Sequence, residues 1–166
     1  MKKIRVSSNM EDYIEAVHNL EAEKGFARVK DISGLLDVRS ASTTGALSRL
    51  AEKGLIKHER YGYVQLTSAG NRLAEDIRQR HNTILKFLSR VLRIRRERAE
   101  KDACGMEHAI SPETLKKLTK FIEFIETCPT GERPEWLKSF DHFYKTGKRL
   151  NCKVEETGTP PADRTS

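Results

Sequence analysis

"VKDISGLLDVRSASTTGALSRLAEKGLIKHERYGYVQLT", residues 29 to 67, changes its hydrophobic period partway along. Its first half repeats at helical spacing. Ile32, Leu35 and Leu36 form one apolar face on a short helix, and Ala46, Leu47 and Leu50 form the next. The short link "LDVRSAS" fits a turn between them, with Ser40 placed as an N-cap and Gly54 as the stop. From Leu55 the period changes: "LIKHERYGYVQLT" reads as two short strands around a turn at Arg60 to Gly62. Helix, turn, helix and hairpin in that order define a winged helix-turn-helix, whose third helix enters the DNA major groove.

The flanks agree. Met10, Tyr13, Ile14, Val17 and Leu20 make a helical stripe, with Ser7 or Ser8 as cap and Gly25 as terminator. Thr67 or Ser68 caps a long helix to about Leu92, and two or three further helices run from about Arg95 to Leu150. The expected fold is therefore mostly α with a small β-hairpin wing. Residues 1–72 form a winged helix-turn-helix, 73–150 a helical dimerisation and metal-binding domain, and 151–166 a polar, disordered tail.

Composition narrows the function classes. In 166 residues there is no run of eighteen apolar positions, and "MKKIRVSSNM" lacks the apolar stretch of a secretory leader, so the expected address is cytoplasmic, with no membrane partner. Three cysteines, Cys104, Cys128 and Cys152, are expected as reduced thiols, the last two as inert ones. A net charge of +7 suits a polyanion. Arg39, Ser40, Ser42, Thr43 and Thr44 on the third helix, with Arg60, Tyr61 and Tyr63 at the wing, supply hydroxyls and cations for phosphates and base edges. The basic run "RIRRER" at 93–98 reads as a solvated turn pairing with Glu97 and Glu100. Trp136, Leu137, Phe140, Phe143 and Tyr144 read as core or dimer packing.

"DACGMEHAIS", 102 to 111, is the chemical signal. Cys104, Glu107 and His108 fall at i, i+3 and i+4, so thiol, carboxylate and imidazole share one helix face, a good partial ligand set for a divalent transition metal. Asp12 and Glu15 lie opposite the apolar stripe of the first helix, where such pairs are ordinarily just solvated. His81 lies inside the apolar stripe of the long helix, where a hydrogen-bonded core histidine is the ordinary case. Taken singly, these residues leave the question open.

Taken together, "MEDYIE" at 10–15, the hydroxyl-rich third helix, "RH" at 80–81 and "CGMEH" at 104–108 resemble the diphtheria-toxin-repressor and manganese-transport-regulator family over about residues 8 to 127. The resemblance implies a homodimeric, metal-dependent repressor binding a roughly palindromic double-stranded DNA operator to control metal homeostasis genes. It implies Asp12, Glu15, His81, Cys104, Glu107 and His108 as ligands of Fe(II) or Mn(II). Asp12 and Glu15 follow the manganese branch and Cys104 the iron branch, whose ancillary site reads His81, Leu85 and Glu100 here and is degraded, with Glu100 as an auxiliary ligand at most. The SH3-like third domain of the iron branch is not expected over this length. A metallohydrolase is disfavoured, since no His-Glu-x-x-His motif occurs. The rival is a thiol-based redox-sensing winged-helix repressor using Cys104, which would need neither His81 nor Asp12 and Glu15.

Overall fold

The computed structural model describes residues 6–58, 62–128 and 132–150. Arg60 and Tyr61 of the wing, Cys152 and the tail lie outside these residues. The first helix, α1 (Ser8–Lys24), follows the N-cap Ser7 and buries Tyr13, Ile14, Ala16, Val17 and Leu20. It ends at Gly25, whose φ of +78° is the left-handed conformation that glycine adopts without a Cβ penalty. A two-residue strand β1 (Ala27–Arg28), α2 (Val29–Leu35) and α3 (Ser40–Glu52) follow, with Asp37 at φ +53° in the turn between the helices. Strands β2 (Ile56–His58) and β3 (Tyr63–Leu66) pair antiparallel, Ile56 opposite Leu66 and Lys57 opposite Gln65.

Three local expectations are corrected. The wing is part of a three-stranded sheet of order β1-β3-β2, because Ala27 and Arg28 pair with Val64 and Tyr63. Arg39, not Ser40, is the N-cap of α3. Leu35 is 55% exposed: α2 is a single short helix whose buried face is filled by Ile32 and Ser33.

The next helix, α4 (Ser68–Lys86), is capped by Thr67, whose Oγ1 accepts from the Gly70 amide and donates to the Gly54 carbonyl. A Cβ on Gly70 would stand 2.0 Å from the Leu55 carbonyl oxygen, so only glycine lets α4 start this close to the corner between α3 and β2. Helix α4 widens into a π turn over Phe87–Val91 and is followed by α5 (Arg96–Glu107), α6 (Pro112–Glu126) and α7 (Glu135–Thr146).

The described residues up to Ile122 form one compact unit and those from Glu123 onward another. The first unit holds two cores strung along α4. The larger gathers α1, α2, α3, the sheet and Ala74 and Ile77; the smaller holds Ile84 and Leu88 with Ala99 and Ala103 of α5. In the second unit α7 buries Leu137 but exposes Trp136, Phe140, Phe143 and Tyr144. Among the described residues no helix is long and apolar enough to cross a membrane.

Candidate functional site

His81 stands at the seam between the two cores, with Ile77 a turn before it and Ile84 a turn after it on the inward face of α4. Its Nδ1 lies 2.9 Å from Glu107 Oε2 and its Nε2 3.0 Å from Glu100 Oε2. Glu107 comes from the last turn of α5 and is fully buried. His108 caps that helix and places Nδ1 2.8 Å from Glu11 Oε2, with Nε2 2.9 Å from Asp12 Oδ1 and 3.5 Å from Glu107 Oε1. Thus α1, α4 and α5 each contribute groups to one cluster. The polar face of α1 can do so because its opposite face is packed into the winged-helix core.

Three buried atoms in and beside this cluster lack the hydrogen bonds that burial demands: Arg80 Nε, Glu107 Oε1 and His108 Nε2. His108 Nε2 is close to Asp12 but off the line of a hydrogen bond, and both it and Glu107 Oε1 are buried without a hydrogen-bond partner. Groups so placed cost free energy unless a further partner satisfies them. Among the described residues, no three His, Cys, Asp or Glu side chains are already drawn to the spacing of a metal-ligand set. The donors are turned onto one another, carboxylate to imidazole. The orphaned nitrogen and oxygen, 3.5 Å apart and flanked by further carboxylates, nevertheless fit a divalent cation in position and in donor chemistry.

The electrostatics follow from crowding acids in a partly dry space. Burial, helped by the charge of Glu15, pushes the Glu107 carboxyl up to about 6 against the pull of His81 and His108. For His81, burial favours the neutral ring, but the hydrogen bond it donates to Glu100 and the charges of Glu107 and Glu15 outweigh it and raise its pKa. The same contact with His81 lowers Glu100. Burial and the charges of Glu107, Glu15 and Asp12 raise the Cys104 thiol. That is the opposite of the electropositive setting in which a sensor thiolate forms.

Of the six sequence-expected ligands, the structure joins His81, Glu107, His108 and Asp12 through short contacts, whereas Glu15 and the exposed Cys104 lie near enough to act on them by charge but make no short contact with the cluster. Glu100 joins them through His81. Glu11 and Arg80 were missed. Glu11 Oε1 accepts from Arg80 at 2.8 Å while its Oε2 meets His108, linking α1 to both α4 and the end of α5. Glu11 is the i−4 neighbour of Glu15, so helical spacing already placed it on the same face.

On α3, Arg39, Ser40, Ser42 and Thr44 are exposed. Thr43 is not: it is fully buried, with Oγ1 turned to the Arg39 carbonyl, so its assignment to DNA contact is corrected. It lies at i−4 and i−7 from Leu47 and Leu50 and belongs to their face. Ser48 and Arg49 extend the exposed face one turn further. Within "RIRRER", Arg96 pairs with Glu100 as expected, while Arg98 pairs with Asp102.

Comparison with known proteins gives matches over both the winged-helix part and the helices that follow it. Residues 5–64 match the family model of the iron dependent repressor N-terminal DNA binding domain, and residues 67–135 that of the metal binding and dimerisation domain. The HTH-type transcriptional regulator MntR of Lysinibacillus sphaericus (strain C3-41) is 34% identical over 121 residues, covering 73% of this chain and 86% of that protein. MntR of Bacillus velezensis is 32% identical over 118 residues, 71% of this chain and 82% of that one. Among solved structures, IdeR of T. acidophilum superposes with a TM-score of 0.64 at 29% identity, over 78% of this chain and 60% of that chain.

Proposed function

The chain belongs to the iron-dependent repressor family of metal-dependent transcriptional regulators, and from that premise we propose that it is a homodimeric repressor whose operator binding requires Fe(II) or Mn(II). The family consists of regulators, not enzymes. In this reading Asp12, Glu15, His81, Cys104, Glu107 and His108 hold the metal, with Glu100 and Glu11 orienting the two imidazoles from behind. The observation that carries the proposal is the orphaned pair Glu107 Oε1 and His108 Nε2, facing carboxylates of the helix that anchors the winged-helix core.

When bound, the divalent cation would supply positive charge among these carboxylates. The protein's own groups do the rest. Asp12 and Glu15 project from the outer face of α1, whose inner face packs Tyr13, Ile14 and Val17 into the same core as Ala46, Leu47 and Leu50 of α3. A restraint on the two carboxylates is thereby a restraint on the recognition helix. His81, Glu107 and His108 are fixed by α4 and α5, which supply the smaller core. Restraining α1 against them favours one setting of the DNA-binding elements. In a twofold-symmetric dimer that setting presents two third helices to successive major grooves of a roughly palindromic site. The exposed aromatic residues Trp136, Phe140 and Phe143 on α7 support a dimer, being an apolar surface of the kind that association buries. The setting for such a regulator is the cytoplasm, with metal homeostasis genes as targets.

The redox alternative is opposed by the setting of Cys104, whose thiol pKa is raised by burial and by the charges of Glu107, Glu15 and Asp12. The test is selection of duplexes from a random DNA library by reduced protein, under anaerobic conditions, loaded in turn with Mn(II), Fe(II), Co(II) or Zn(II). Enrichment of one palindromic sequence with Fe(II) or Mn(II) is expected. Equal enrichment by chelator-treated protein contradicts the proposal.

A further inference from the structure

Several arginines of this structure pair with acids: Arg78 with Glu75, Arg80 with Glu11, Arg96 with Glu100, Arg98 with Asp102 and Arg133 with Asp141. Arg28 is ordered by different means. Its guanidinium lies 4.5 Å from the centroid of the Tyr63 ring and 5.2 Å from that of Phe26, and it donates to the Tyr63 hydroxyl. The two rings meet edge to face at 5.3 Å. Among the described residues no carboxylate stands within ion-pair distance of it. Aromatic faces hold a guanidinium in place without neutralising it, so its charge stays available to a further partner.

Position says what that partner is. Arg28 pairs with Tyr63 across the β1–β3 ladder, and Tyr63 is the first residue of β3 after the wing turn. Arg28 also immediately precedes α2, the first helix of the helix-turn-helix. It therefore sits where wing and helix-turn-helix meet. Strand alternation turns Val64 and Ala27 into the core and leaves Arg28, Gln65 and Lys57 on the exposed side, two cations with no acid among those residues. We propose that Arg28, splinted by Phe26 and Tyr63, is a DNA-backbone contact that grips a phosphate beside the wing, independently of base sequence and of the metal cluster. The inference rests on the DNA-binding reading above and adds a residue to it. A pre-ordered arginine loses little side-chain entropy on meeting the phosphate, and guanidinium suits the oxygens of that group.

The experiment is a salt titration of duplex binding by metal-loaded full-length protein, on the selected operator and on a scrambled duplex, for wild type, Arg28→Ala and Arg28→Lys. Loss of one phosphate contact per subunit, two per homodimer, lowers the slope of log K against log salt by about 1.8. Arg28→Ala is expected to lose that much on both duplexes, weakening both by the same factor, with metal affinity unchanged; Arg28→Lys restores the slope. An Arg28→Ala protein that melts earlier but keeps the wild-type slope and affinity overturns the proposal, leaving the cluster a purely structural clasp. Loss of affinity on the operator alone also overturns it, since that is base readout. If Arg28→Ala does not fold, Arg28→Gln keeps the stem and planar end against the rings without the charge and gives the same readout. Binding that ignores chelation counts against the metal-dependent reading alone, because the phosphate slope is measured on any duplex.

Discussion

Glu107→Gln is expected to move two properties in opposite directions. The carboxyl is fully buried, and its pKa is displaced from 4.5 to about 6 by burial and by Glu15, net of the attraction of His81 and His108. At 1.36 kcal/mol per unit, ionising it in the native protein costs about 2 kcal/mol more than in the unfolded chain. The sign follows from proton counts: between about 4.5 and 6 the native state binds more protons than the unfolded state, so metal-free stability falls as pH rises through that window. The raised His81 extends the decline in the same direction at higher pH. Glutamine is isosteric, keeps a hydrogen bond to His81 Nδ1 and carries no charge. In chelator, Glu107→Gln should therefore be more stable than wild type by up to about 2 kcal/mol at pH 7.5, or roughly 4–8 °C in Tm for a chain of this size, with the advantage vanishing toward pH 4.5. Metal at 100 times its Kd should add about 2.7 kcal/mol to wild type and less to the variant, by about 1.4 kcal/mol for each tenfold loss of affinity. Thermal melts with chelator and with Mn(II), across pH, read both effects. A variant that is less stable in chelator yet keeps the full metal-induced shift would make Glu107 a structural partner of His81, and the ligand assignment would fail.

Arg39→Ala and Thr44→Ala should weaken operator binding, measured by fluorescence anisotropy, and leave metal affinity unchanged, since both side chains are exposed on α3 away from the cluster. Cys104→Glu should shift the metal response from Fe(II) toward Mn(II), because a hard carboxylate replaces a soft thiolate; metal-dependent DNA binding at buffered free metal concentrations checks this. Gly70→Ala should cost about 3 kcal/mol or more by denaturant titration, as its Cβ meets a backbone carbonyl at 2.0 Å and neither α4 nor the Leu55 corner can yield cheaply.

The order of elements was legible because apolar period distinguishes helix from strand, and α1, α3 and α4 carry clean stripes, bounded by recognisable caps at both ends of α1 and at the start of α4. Strand β1 was not, since two residues cannot display an alternation and its partner lies in β3. Nor did the sequence announce the π turn at Phe87–Val91, where no proline or glycine marks the change of pitch. For the site, helix phase located Cys104, Glu107 and His108 together, and the family resemblance brought Asp12, Glu15 and His81 to them. Thr43 is the case where residue type and helix phase disagree: a hydroxyl on a recognition helix suggests DNA, but its spacing from Leu47 and Leu50 turns it inward. Glu11 and Arg80 needed the fold, because a salt bridge spanning 69 residues leaves no local pattern.

Specific DNA binding before and after metal removal tests the central claim most directly. A labelled duplex carrying the selected palindrome is titrated with reduced protein in Fe(II) or Mn(II), then in chelator, then with metal restored, at one fixed salt concentration. The account predicts tight binding with metal, collapse on chelation to the weak, salt-sensitive level of a scrambled duplex, and full recovery on adding metal back. Asp12→Ala should remain near the collapsed level throughout, as it loses the carboxylate that links α1 to His108. Undiminished, sequence-specific binding by the chelated protein would contradict the account.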